Sequence, residues 1–146
     1  MHKSELSDFP PLQQPAIELD LPLIAQLGTH HRDPVEAHLL RLSDSDRRLR
    51  FGHQISQDVL AKYVRSIQFF RDAAFGAFDE SGNLVGFGHL AFGDAEAEFA
   101  VSVERDARGR GVGRALLVRA AEHARNRGQR VLTMVYMSNS WVEMLI

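Results

Sequence analysis

The chain has 146 residues, 45% of them hydrophobic and 25% charged, enough for one domain with its own core and too few for two. Its net charge of −2 argues against a nucleic-acid binder working by general attraction to phosphate, and the lack of cysteine excludes disulfides, thiolate metal sites and a cysteine nucleophile. No apolar run approaches the roughly 18 residues that cross a bilayer, and MHKSELSDFP has neither an apolar core nor a cleavage site for export, so a cytoplasmic protein with no membrane partner is expected.

The opening stretch, with Pro10, Pro11 and Pro15, lacks any sustained period and reads as a flexible lead-in over residues 1–15, with the ordered domain covering 16–146. From Ile17 to Leu27 an irregular apolar pattern broken by Pro22 predicts short extended pieces, best placed as an edge strand. Asp33-Pro34-Val35-Glu36 predicts a helix start capped at Asp33 and running through Leu42. Residues Ser43 to Arg50 are polar, and Ser56 caps a longer helix carrying Val59, Leu60, Tyr63, Val64 and Ile67. Two or three helices therefore precede the main sheet.

Beyond Arg71 the pattern alternates. Ala73–Phe78, Leu84–Phe92 and Glu96–Val103 predict an antiparallel meander, with Asp79 to Asn83 and Gly93-Asp94 as its turns. A helix from Val112 to Arg127, closed by Gly128, and a strand over Val131–Tyr136 follow. Ser140–Ile146 is read as the start of a further helix.

Chemistry concentrates where the meander meets the long helix. Between Arg105 and Arg130 there are eight arginines against Asp106 and Glu122, a local balance of +6. Arg108-Gly109-Arg110-Gly111-Val112-Gly113-Arg114 puts three glycines at a strand-to-helix turn, where bare backbone and the unpaired N–H groups of a helix start form an anion site. A phosphate-binding loop of the Walker type needs a lysine, and the only lysines are Lys3 and Lys62. The dinucleotide fingerprint needs a small residue where Arg114 stands and a parallel βαβ unit rather than a meander. An arginine-glycine RNA-binding tract remains a third reading, though such tracts do not open amphipathic helices.

Arg108-x-x-Gly111-x-Gly113, after Phe99-Ala100-Val101-Ser102-Val103 and before Arg114-Ala115-Leu116-Leu117, resembles the acetyl-CoA motif of the GNAT N-acetyltransferases. The resemblance covers about Arg71 to Trp141. It implies an α/β (α+β) fold with a mixed, mainly antiparallel sheet flanked by helices. It also implies acetyl-CoA as co-substrate, with the diphosphate on the amides of Arg108, Gly109, Arg110, Gly111, Val112, Gly113 and Arg114. The pantetheine arm would pair with Val101, Ser102 and Val103, and Asn139 matches an asparagine frequent at the following helix start in the family. Ala97-Glu98-Phe99-Ala100-Val101 is similar to the bacterial protein-lysine acetyltransferase branch, in which the glutamate is the general base, so Glu98 is the candidate base. A family tyrosine that protonates the departing thiolate has no clear counterpart, which leaves Tyr136, or Ser138, as candidate acid. The acceptor expected is a primary amine, of a protein lysine or a small molecule, and the alternative is a catalytically weak acyl-CoA-binding module. His2, His30, His31, His38, His53, His89 and His123 form no metal-ligand spacing, so no metal is expected; His89 is either a secondary proton relay or a hydrogen-bonded strand residue. The resemblance implies two closing strands that the sequence does not supply, so a C-terminally truncated domain is expected, with a bare fifth-strand edge that a homodimer could cover.

Overall fold

The computed structural model describes residues 22–137 and 140–145, and from residue 133 onward the backbone alone. The expected lead-in of residues 1–15 and the candidates Ser138 and Asn139 lie outside the described residues. In chain order the elements are β1 (Leu23–Gln26), α1 (Arg32–Arg41), α2 (Asp44–Phe51), α3 (Gln57–Ser66), β2 (Ala73–Phe78), β3 (Leu84–Phe92), β4 (Glu96–Val103), α4 (Val112–Asn126), β5 (Arg130–Met137) and β6 (Ser140–Leu145). The sheet runs β1-β2-β3-β4-β5-β6, and every neighbouring pair is antiparallel except β4 with β5.

Period-two alternation divides the core between the two faces. Ala73, Phe75 and Ala77 of β2, Leu90 of β3, and Ala97 and Phe99 of β4 pack under Val112, Leu116, Ala120 and Ala124 of α4. Ala74 and Phe87 face the other way, onto Val35 and Leu39 of α1 and Leu60 and Val64 of α3. Phe75 and Phe87 are the largest fully buried side chains, each worth about 2–3 kcal/mol of transfer free energy.

The caps follow local chemistry. The Ser43 hydroxyl accepts from the Asp46 amide (3.1 Å) and starts α2, and Ser56 accepts from Val59 (3.3 Å) to start α3. The start of α1 differs from expectation: the helix begins at Arg32, after a 3-10 turn over Thr29–His31, so Asp33 lies inside the first turn instead of capping it. His31 Nδ1 accepts from the Gly28 amide (2.9 Å), and this preceding turn overrides the Asp33-Pro34 signal.

The last segment is a correction. Ser140–Leu145 is a strand paired antiparallel with β5, from Met137↔Ser140 to Leu132↔Leu145, and not the start of a helix. Only two residues separate it from β5, the spacing of a tight hairpin, and Trp141 and Val142 favour extended backbone. The outer edge of β5, expected to be bare, is covered by β6, which becomes the last strand of the sheet.

Candidate functional site

The one parallel pair of the sheet parts midway. β4 and β5 pair only from Glu96↔Arg130 to Phe99↔Thr133; beyond that, Ala100–Val103 and residues 134–137 continue without pairing to each other, which opens a wedge. The direction of the β4 backbone in this wedge follows from its other neighbour. The Glu104 amide donates to the Val85 carbonyl (2.8 Å), and the β3–β4 register is unbroken from Gly86↔Val103 to Phe92↔Ala97. Alternate residues of an antiparallel strand bond to the same side, so residues 98, 100 and 102 are turned to β3 while Val101 and Val103 direct their N–H and C=O groups into the wedge. The Val103 carbonyl is met there by Arg108 Nε (2.9 Å). The remaining groups form an edge that a ligand with amides of its own can extend.

The glycine turn adjoins the wide end of the wedge. After a 3-10 turn over Arg105–Ala107, Gly109 (φ 78°) and Gly111 (φ 79°) take the left-handed conformation that other residues avoid, and Gly111 caps α4 with no side-chain partner. The Arg108 amide is bonded to the Arg105 carbonyl (3.2 Å), so the row of open donors starts at Gly109. Among the described residues, none accepts from the amides of Gly109, Arg110, Gly111, Val112, Gly113 or Arg114; the first satisfied amide is Ala115, bonded to the Gly111 carbonyl (2.9 Å). The first turn of α4 carries no acidic residue, and Arg110 and Arg114 are exposed. Buried Val112 anchors the helix start in the core beside Leu116, so the open donors sit on a rigid support. Helix dipole, free amides and guanidinium groups all favour an anion of several oxygens here.

The face of β4 turned toward α1–α3 carries Glu98, Ala100 and Ser102. Glu98 is exposed, between Ala91 of β3 and Leu132 of β5 in the register. Tyr136 stands on β5 past the last β4–β5 pair. Two polar chains flank this strip. His38, fully buried on α1, bonds the Ser102 hydroxyl through Nε2 (2.8 Å) and approaches Glu104 through Nδ1 (3.4 Å), and Arg41 closes on the same carboxylate. Burial outweighs the Glu104 charge and pushes the imidazole down to about 4. In the second chain Arg50 donates to the Tyr63 hydroxyl (2.8 Å), which meets His89 Nδ1 (2.8 Å), while His89 Nε2 meets Asp72 Oδ2 (3.0 Å). Burial raises the Tyr63 phenol, and it lowers His89 despite the Asp72 carboxylate. His89 lies directly across from Ala100, so this chain reaches the strand that carries Glu98. The sequence presents Tyr63 only as a helical apolar position and does not mark Asp72, and no spacing joins Tyr63 to partners 13 and 26 residues away.

The family model of the acetyltransferase (GNAT) family matches residues 38–141. No curated protein sequence matches the chain. Among solved structures, the GNAT domain of S. lividans PAT is 22% identical with a TM-score of 0.65, over 80% of this chain and 73% of that one. The ribosomal-protein-S18-alanine N-acetyltransferase from Escherichia coli is 22% identical with a TM-score of 0.60, over 81% and 69%. An aminoglycoside N-acetyltransferase solved in complex with CoA is 19% identical with a TM-score of 0.59, over 80% and 78%. With a parting β4–β5 pair, a glycine turn of open amides and a family match over most of its length, the chain belongs to the acetyltransferase (GNAT) family.

Proposed function

We propose that the chain is an N-acetyltransferase that uses acetyl-CoA to acetylate a primary amine by direct attack. The observation that carries this reading is the unbroken row of open amides from Gly109 to Arg114 at the mouth of the β4–β5 wedge. These amides fit a diphosphate, and the wedge-facing N–H and C=O groups of Val101 with the N–H of Val103 fit the amides of a pantetheine arm, with Ser102 between them turned away. Acetyl-CoA, when bound, supplies an activated thioester. A wedge-facing N–H of β4 is positioned to receive the charge that develops on the thioester oxygen.

The acceptor nitrogen must be neutral to attack, whereas an alkylamine of pKa about 10.4 is almost wholly protonated near neutral pH. Glu98 takes that proton, directly or through a water, as the C–N bond forms and the C–S bond breaks. Tyr136 is the candidate donor to the departing thiolate; since a thiol has a pKa of about 8.5, solvent can also supply the proton. The acceptor is a protein lysine or a small amine. No metal is required, and a homodimer is not part of this mechanism. Release of free thiol from acetyl-CoA across a panel of amines tests the reading, with Glu98→Gln expected to lower kcat by about 10²- to 10⁴-fold. Equal turnover by Glu98→Gln and the parent overturns the base assignment. CoA binding without turnover on any amine supports the weak acyl-CoA module instead, and salt-sensitive RNA affinity with no CoA binding supports the arginine-glycine reading.

A further inference from the structure

Arg108 opens the motif, yet its side chain does not project toward the row of open amides. Nε donates to the Val103 carbonyl (2.9 Å), and Nη2 pairs with Asp46 Oδ2 on α2 (2.9 Å). Asp46 is largely buried, with 13% of its side chain exposed, and α2 itself lies against β4. Burial pushes its carboxyl up, but hydrogen bonds with Arg108 and Ser43 hold it below the usual carboxylate range, so it is a carboxylate at neutral pH. One guanidinium therefore joins three segments: the end of β4, the turn, and α2, about 60 residues earlier in the chain.

Resting on the CoA reading above, we propose that Asp46 is a positioning residue for the cofactor turn, acting through Arg108. The turn contains two left-handed glycines, which hold their shape only weakly by themselves. With Arg108 anchored at both ends, the amides from Gly109 onward are set before the diphosphate arrives, and binding is spared the cost of ordering them. The same anchoring caps the Val103 carbonyl, so the mouth of the wedge presents donors to the incoming anion and not an uncompensated acceptor. The Asp46 carboxylate acts on the turn through Arg108, the residue of the turn that it pairs with.

The test is calorimetric titration of the full chain with CoA for the parent, Asp46→Asn, Arg108→Ala and the double variant, with thermal unfolding of each in the absence of CoA. Asp46→Asn keeps the backbone amide that Ser43 caps, so α2 remains capped. The expected result is a CoA Kd raised about five- to twentyfold by Asp46→Asn. The double variant should bind no worse than Arg108→Ala alone, the non-additivity of two residues acting as one device. In turnover the loss should fall on KM for acetyl-CoA rather than on kcat. A purely structural pair lowers the unfolding temperature and leaves Kd unchanged, which overturns the proposal. Tighter CoA binding by Asp46→Asn also overturns it, because it makes Arg108 a phosphate ligand that Asp46 holds back. A parent that fails to bind CoA overturns the cofactor reading itself, and the inference with it.

Discussion

Replacing His38 tests whether the end of β4 is held by a buried neutral imidazole. In the folded chain this histidine has no exposed surface and burial lowers its pKa from 6.5 to about 4. Folding therefore disfavours the proton: the stability associated with this group is fully present above the unfolded pKa of about 6.5 and is lost as pH falls through the window from 6.5 to about 4. The span between the two values corresponds to about 3 kcal/mol at 1.36 kcal/mol per unit, a large share of the 5–15 kcal/mol that a domain of this kind has. The neutral tautomer donates from Nδ1 toward Glu104 and accepts from Ser102 at Nε2, an arrangement that Gln can imitate without titrating. Urea unfolding of the parent and His38→Gln at pH 7.5, 6 and 5 gives the difference directly, and the other histidines cancel between the two. The parent is expected to lead at pH 7.5 and to lose most of that lead by pH 5. A stability difference that stays constant across this range would refute the claim that His38 is buried neutral.

The glycine turn separates two substitutions two residues apart. Gly111→Ala forces an L side chain to φ 79° and is expected to cost about 1–2 kcal/mol and to weaken CoA binding. Gly113→Ala meets only Val103 Cγ2, at an ordinary 3.7 Å, so thermal unfolding should show it neutral or stabilised by up to about 1 kcal/mol. Equal costs for the two would contradict the turn geometry. In the core, a Cβ on Gly88 would lie 2.4 Å from Phe99 Cζ, so Gly88→Ala should lose about 1–3 kcal/mol to overpacking, partly recovered when combined with Phe99→Leu.

The meander was legible because its signals are local. Asp79 Oδ1 accepts from the amides of Ser81 and Asn83 (2.9 and 2.8 Å), Gly82 supplies a positive φ, and period-two alternation does the rest. The α4 boundaries were legible for the same reason, from Gly111 at one end and Gly128 (φ 71°) at the other. By contrast α2 has no fully buried apolar residue, so no apolar stripe marks it; it stands on the Ser43 cap, on Arg47 paired with Asp44, and on Asp46 reaching Arg108. At Ser140–Leu145 the strand differs from the expected helix start, and the signal that points to it is the hairpin spacing in its own residues. In the site, the turn was visible in sequence while its surroundings were not. The wedge arises where a parallel register stops after Phe99↔Thr133, and pairing of that kind leaves no local trace. Partners such as His38 with Ser102 are 64 residues apart, and only the packing of α1 on the neighbouring strand β3 brings them together.

The account depends on the amides of Gly109 to Arg114 being the seat of a diphosphate. Amide resonances of the isotopically labelled chain, followed while CoA is titrated in, address that directly. The result expected is saturable binding in which these six amides move most and gain protection from hydrogen exchange, followed by Val101 and Val103. Saturable CoA binding that perturbs other surfaces and leaves the turn unchanged, or no binding at all, would contradict it.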